Sequence, residues 1–455
     1  MSRRILMLIS TWDVDFAKAI IAGIRERIGD DDIELHILNA YDDLRPSDYF
    51  VKGREIYFLP DLEKYDGLII DLITIDSVQY VKDITKSFHD LNKPVVGVDT
   101  HAENAIFCGL DNYRSMYQLV DHMVTIHDCR IFNYLGGPED HDESKERYRA
   151  FCDCLKSHGI GVEKKRVLHK NFRQSDGNAA YNEWKELGVN MADVVICAND
   201  YMALGFTEEA AKDGIIIPDY LKVTGFDNIR DAQRFTPSIT SINRNWKRLG
   251  YESMDILLEA LSNNMEYDTR FVEGYIRYNE SCGCDLSRDI RSEYTDLVAK
   301  ARSDSNYIYK QNYSRQILTR SRTMEDFMSA MSNCKVRLGI ADAAVCLNRS
   351  FFDGDVYSDV DGYDKEMILY IDDGKEDINT DNQLYPARWK KDYKIYLFAS
   401  LRNDNQTYGY MVMPYDEEFF SRIKHRTFVE SLSLGLENIS NRIAISKLKE
   451  KIKDQ

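Results

Sequence analysis

No apolar run in this 455-residue sequence approaches the length of a membrane span, so no spanning helix is expected and no membrane partner is assigned. Positive charge is also in short supply. Lys and Arg number 59 against 76 Asp and Glu, and the formal net charge of -17 argues against a polyanion as partner for the chain as a whole. The N-terminal stretch is not expected to be a secretory leader: Met1 to Arg4 supply charge, but Ile5 to Ile9 is too short an apolar stretch. Ser10-Thr11-Trp12-Asp13 ends it without a cleavage site. There is no P-loop, no GxSxG elbow and no HExxH, and the histidines are scattered. No catalytic residue is assigned, and the chain reads as a non-enzyme. The nine cysteines, an odd number in a long chain, fit reduced thiols in cytoplasm better than a disulfide framework. Cys282-Gly283-Cys284 and the Cys152/Cys154 pair invite a zinc reading. Their tight spacing without nearby histidines is poor zinc geometry, so neither a metal nor a cofactor is expected.

What remains is a soluble globular composition, 44% hydrophobic and 30% charged, in a chain long enough for two or three domains. Short apolar runs alternate with amphipathic helical stretches. Ile5–Ile9, Ile33–Asn39, 65–71 and Val95–Val98 read as strands, and 16–28 and 78–91 as helices. A second series follows, with strands over 131–135, 194–198 and 221–224 and helices over 112–124, 143–158 and 202–213. A last helix over 251–263 precedes a final strand over 270–278. This alternation predicts an α/β fold with parallel, doubly wound sheets. Several strands end in polar groups: Asp13 follows the first, Asp71 closes the third, and Asn199-Asp200 and Asp227-Asn228 follow two of the later ones. Open α/β sheets bind ligands beyond the carboxyl ends of their strands, so these ends point to a polar small-molecule site. Asp13 and Asp15 read equally well as helix caps.

The stretch Ala198-Asn199-Asp200-Tyr201-Met202-Ala203-Leu204-Gly205, followed by Gly214, Pro218, Gly225-Phe226-Asp227-Asn228, Pro237-Ser238-Ile239-Thr240-Ser241-Ile242 and Leu249-Gly250, resembles the effector-binding core of the LacI/GalR family of bacterial regulators. The similarity runs over about residues 4–284. It implies a two-lobed, periplasmic-binding-protein-like domain over 1–285, with chain crossings near 105, 238 and 268. It also implies a small-molecule effector, sugar or sugar-like, although nucleobases bind the same architecture. Trp12, Asp13, Asp71, Arg147, Asn199, Asp227 and Trp246 would hold the effector, and lobe closure would be the signal. Arg147 stands at the family's effector arginine, with Ala150 in place of the usual glycine; a surface arginine is the alternative. Trp246 reads equally as packing at a helix start. Asn279 stands where the family carries arginine, which puts the ligand class in question. The family's N-terminal helix-turn-helix does not precede the first strand, so no direct nucleic-acid binding by this chain is expected.

Beyond 285 a connecting helix is expected over 286–322. Helix, antiparallel strands (343–348, 367–371, 393–399, 409–413) and helix then resemble, more weakly, an α+β GAF-like sensory domain over 323–430. Thr323 with Asp326 fits a capping box, and the acidic stretch 353–381 reads as a solvated loop. Over 431–455, Leu432, Leu436, Ile439, Ile443, Ile445, Leu448 and Ile452 fall at heptad-like spacing, which predicts a coiled coil and a homodimer; packing on its own domain is the alternative. The resulting expectation is a cytoplasmic ligand sensor that regulates transcription or signalling. The alternative is the sensory portion of a signalling enzyme, such as a diguanylate cyclase, with an output domain beyond 455.

Overall fold

The computed structural model describes residues 3–10, 14–41, 52–71, 78–99, 101–263, 269–284, 290–353, 362–372, 374–403 and 406–453. Trp12 and Asp13 lie outside them. The chain divides into two compact units, one of residues 1–109, 246–270 and 293–455, the other of 110–245 and 271–292.

Taken in chain order, the strands are β1 (Arg3–Ile9), β2 (Ile33–Asn39), β3 (Gly67–Asp71), β4 (Val95–Val98), β5 (Ile106–Leu110), β6 (Phe132–Gly136), β7 (Val167–His169), β8 (Val194–Cys197) and β9 (Lys222–Asp227). They continue with β10 (Thr240–Asn243), β11 (Arg270–Val272), β12 (Tyr275–Arg277), β13 (Ala344–Asn348), β14 (Glu366–Ile371), β15 (Gly374–Asn379), β16 (Ile395–Arg402) and β17 (Thr407–Pro414).

The second unit is the simpler. Its sheet has the order β12-β10-β9-β8-β6-β7. β6 to β10 run parallel, and only β12 is antiparallel, against β10. β8, Val-Val-Ile-Cys, is buried along its length, as a strand covered by helices on both faces must be. Helices Gln174–Glu186 and Asp200–Lys212 touch through paired glycines. A Cβ on Gly205 would stand 1.9 Å from the Gln174 carbonyl oxygen, and one on Gly177 2.1 Å from that of Met202. Only glycine admits so close an approach of two backbones.

The first unit departs from the expected plan. β1 pairs parallel with β2 and β3, and β3 with β4, as a doubly wound lobe should. The C-terminal strands then add to the same sheet instead of forming a sheet of their own. β2 pairs parallel with β16, Leu35 opposite Ile395 through Asn39 opposite Ala399, and the whole has the order β11-β5-β4-β3-β1-β2-β16-β17-β13-β14-β15. An exposed edge of parallel strands is a template for further pairing, and β16 covers the one that β2 would present. The five strands from β13 to β17 are antiparallel among themselves. They are flanked by helices Ile290–Thr319, Met324–Leu338 and Thr427–Lys453. The Thr323/Asp326 capping box forms in both directions.

Three expectations are corrected. The single final strand over 270–278 is two, β11 and β12, which belong to different sheets; the break falls at Glu273-Gly274, and the Gly274 backbone packs against Ser115 and β10. The acidic stretch 353–381 holds, besides the expected strand at 367–371 (β14), a second one, β15, whose exposed face is why its composition resembled a loop. The C-terminal helix divides in its role. Leu432, Leu436 and Ile439 are buried within the first unit, whereas Ile445, Leu448 and Ile452 are exposed. Its first half is therefore a packed domain helix, held also by Gln311 Nε2 donating to Thr427 O and Ser431 Oγ.

The core of the first unit holds a polar network. β2 places Glu34 and His36 on one face, two residues apart, turned inward. Glu34 accepts from Arg4 at 2.9 Å, from Tyr385 at 2.8 Å and lies 2.6 Å from His36 Nε2, while His36 Nδ1 meets Tyr65 Oη at 2.7 Å. Burial opposes the Glu34 charge, but His36 and Arg4 overcome it and hold the carboxyl down at about 2.

Candidate functional site

The carboxyl ends of β6, β8, β9 and β10 bring together the densest set of buried charges in the second unit. Helix Asp142–Ser157 starts beside them with Glu143 in its first turn, where the helix dipole favours a carboxylate. One turn on, Arg147 is 1% exposed. Its guanidinium donates to Glu143 Oε2 (2.7 Å), to the Ala198 carbonyl just past β8 (2.7 Å) and to Asn112 Oδ1 (2.8 Å). The guanidinium carbon lies 3.8 Å from the ring centroid of Phe226 in β9, a stacked cation.

Arg244, at the end of β10, approaches the same carboxylate from the other side. It donates to Glu143 Oε1 at 2.5 Å and to Asp227 Oδ1 at 3.1 Å. The array Arg147–Glu143–Arg244–Asp227 therefore alternates in sign and is neutral overall. Burial works against the Glu143 charge, but the two arginines outweigh it and hold the carboxyl well below its ordinary value. For Asp227 burial prevails over the same arginines, and its carboxyl is raised. The backbone at the end of β9 is unusual: Asp227 has φ 101° and Asn228 φ 53°, both left-handed for residues with side chains. Strain of this kind persists where surrounding structure enforces it, and it clusters at binding sites.

A third carboxylate braces the array. Asp200 is fully buried; Oδ1 accepts from Ser241 Oγ (2.7 Å) and Oδ2 from the Ile229 amide (2.7 Å), which ties helix Asp200–Lys212 to β10 and to the strained turn. Burial, and next the neighbouring Asp227, push its carboxyl well up.

These contacts sort the residues expected from sequence. Arg147 and Asp227 belong to one connected array. Asn199 lies beside it but caps a helix: Oδ1 accepts from the Met202 amide (3.0 Å) and Nδ2 donates to Phe172 O (2.9 Å). Asp71, fully buried at the end of β3, and Trp246, at the start of helix Trp246–Asn263, belong to the first unit. The Trp246 ring lies 5.3 Å from that of Phe16, tilted. Asn279 donates to Ile239 O (2.7 Å), so it fastens the strand that enters β10. Sequence reasoning missed Glu143 and Arg244, whereas Asp200 stood among the expected strand-end polar groups and Ser241 within the resembling pattern. The spacing of Glu143 and Arg147, four residues apart on one helix, is the signal that could have found the first.

The cysteine pair also needs correction. Cys282-Gly283-Cys284 lacks histidines nearby in sequence, but the fold delivers two, His122 and His127, from the end of helix Asn112–Thr125 and the turn after it.

Residues 120–282 match the family model of a periplasmic binding protein-like domain. The chain is 24% identical over 211 residues to the HTH-type transcriptional repressor PurR of Actinobacillus pleuropneumoniae serotype 5b, covering 45% of this chain and 61% of that protein. It is 25% identical over 263 residues to PurR of Mannheimia succiniciproducens, covering 57% of this chain and 75% of the relative. The chain thus spans about three fifths of the length of the first of these repressors. Among solved structures, a regulatory protein of LacI family from Chloroflexus aggregans superposes with a TM-score of 0.51 at 16% identity, over 62% of this chain and 99% of that one. Residues 120–282 thus carry a periplasmic binding protein-like domain, the curated relatives matched are transcriptional repressors, and the fold is shared with that solved regulatory protein. Among the described residues no helix is long and apolar enough to cross a membrane.

Proposed function

We propose that this chain is a cytoplasmic small-molecule sensor that regulates transcription or signalling, with a sugar or sugar-like effector. The observation that carries this reading is the alternating array Arg147–Glu143–Arg244–Asp227 at the carboxyl ends of parallel strands. Carboxylates and guanidinium groups held rigidly by one another can donate to and accept from vicinal hydroxyls without reorganising, the condition for tight and selective binding. In this reading Asp227, with its strained backbone, touches the effector, and Glu143, Arg147 and Asp200 hold it in place. The signal is a change of conformation that the effector favours, since a ligand shifts an equilibrium only by its differential affinity for two states.

Output passes to a partner through the GAF-like region and the C-terminal helix. Ile445, Leu448 and Ile452 form an exposed apolar stripe at steps of three and four, suited to pairing with a second copy. The test is a thermal-shift screen of the purified chain against sugars, nucleosides and amino acids. A concentration-dependent rise in melting temperature that disappears in Asp227→Asn is the expected result. A hit retained at full strength by that variant would remove the array from the binding site.

A further inference from the structure

We propose that His122, His127, Cys282 and Cys284 form a zinc site. The four side chains come from two stretches remote in sequence, and their ligand atoms all lie within 4.8 Å of one another. His122 Nε2 and His127 Nε2 are 3.2 Å apart, His127 Nε2 and Cys284 Sγ 3.2 Å, and Cys284 Sγ and His122 Nε2 3.4 Å. Tetrahedral zinc with its usual bond lengths separates two nitrogens by about 3.4 Å and a nitrogen from a sulfur by about 3.6 Å. The observed triangle has that shape, slightly contracted.

Hydrogen bonding explains the triangle poorly. Three atoms in mutual contact, two imidazole nitrogens and one thiol, cannot each be a donor to one neighbour and an acceptor from the other with sound geometry at every edge. A cation at the centre satisfies all three at once. The local backbone is built for it. Gly283 takes a left-handed conformation, φ 91°, which folds Cys282 and Cys284 around a tight turn. The His122 ring is wedged at 4.7 Å from Tyr278 and edge-on to His127.

Two imidazoles and two thiolates with no open position make a structural site, of the Cys2His2 type. The ion would tie the end of helix Asn112–Thr125 to the segment at 282–284, just before the chain proceeds into helix Ile290–Thr319. It makes no use of the charged array and does not depend on the effector.

The test uses the full chain, purified under reducing conditions, stripped with a chelator and titrated with cobalt(II) and then zinc. The expected result is one metal per chain, with the intense visible bands of tetrahedral cobalt and a thiolate charge-transfer band, both erased by one equivalent of zinc. Cys282→Ser/Cys284→Ser should lose the charge-transfer band and stoichiometric binding. His127→Gln, at a half-buried position, should also lose the tetrahedral spectrum. Cys152→Ser should keep it. Absence of stoichiometric metal in the wild-type chain, or an unchanged spectrum in either ligand variant, would overturn the assignment.

Discussion

Glu143 is the residue on which the charged array turns, because both arginines depend on it. Replacing it with glutamine keeps the shape and removes the charge. Arg147 then retains Asn112 and the Ala198 carbonyl, and Arg244 retains Asp227, but two guanidinium groups share a single carboxylate. Removing one partner of a buried ion pair costs about 3–5 kcal/mol. The Glu143 side chain keeps 22% of its exposure, which lowers the expectation to about 2–4 kcal/mol. For a unit of this size that is a fall in melting temperature of roughly 10 °C. The acid response should change as well. The folded-state carboxyl lies below its unfolded value, so its contribution is present above the ordinary glutamate range and is lost as pH falls toward the folded value. Calorimetry of wild type and Glu143→Gln between pH 7 and pH 3 reads both effects. The second unit of the variant should melt earlier at neutral pH, and the gap should narrow on acidification. Equal melting temperatures at pH 7, or a gap that does not narrow, would refute the electrostatic account of the array.

Two further predictions concern packing and titration elsewhere. Gly205→Ala places a methyl 1.9 Å from the Gln174 carbonyl oxygen, so helices Gln174–Glu186 and Asp200–Lys212 must separate; a loss of about 1–3 kcal/mol in urea unfolding is expected, and an unchanged midpoint would show that they slide freely. His425 is fully buried among Tyr41, Phe419 and Phe420, with neither ring nitrogen hydrogen-bonded, and burial lowers it to about 3. The unfolded chain binds that proton near pH 6.5, so stability should drain as pH falls from there toward 3. His425→Phe should flatten that part of the profile and raise stability at pH 5, and an unaltered acid slope in the variant would contradict this.

The sequence exposed the parts of this molecule whose physics is local. Strands such as Val194–Cys197, buried on both faces, announce themselves as short apolar runs, and Thr323 with Asp326 announces a helix start. Long-range pairing left no such mark. Glu34 and His36, polar residues within an expected strand, lie in the core because Tyr385, some 350 residues on, closes over them. For the same reason nothing in β2 or β16 declared that they would pair and merge two expected domains into one sheet. At the candidate site, Arg147 and Asp227 were legible from their positions in a resembling pattern. Asp200 was legible only as a strand-end polar group and Arg244 not at all, since their roles depend on which strand ends converge. The cysteine pair failed similarly: its histidines lie more than 150 residues away and become neighbours only in the folded unit.

The central claim is that an effector binds at the carboxyl ends of β6, β8, β9 and β10. Hydrogen–deuterium exchange with and without a compound found in the thermal-shift screen tests it most directly. The account predicts new protection concentrated at residues 137–143, 198–202 and 226–230 and around Arg244. Protection confined to the first unit, for instance around the cavity of about 160 Å³ bordered by Arg4, Tyr65 and Tyr385, with no change at these strand ends, would contradict it.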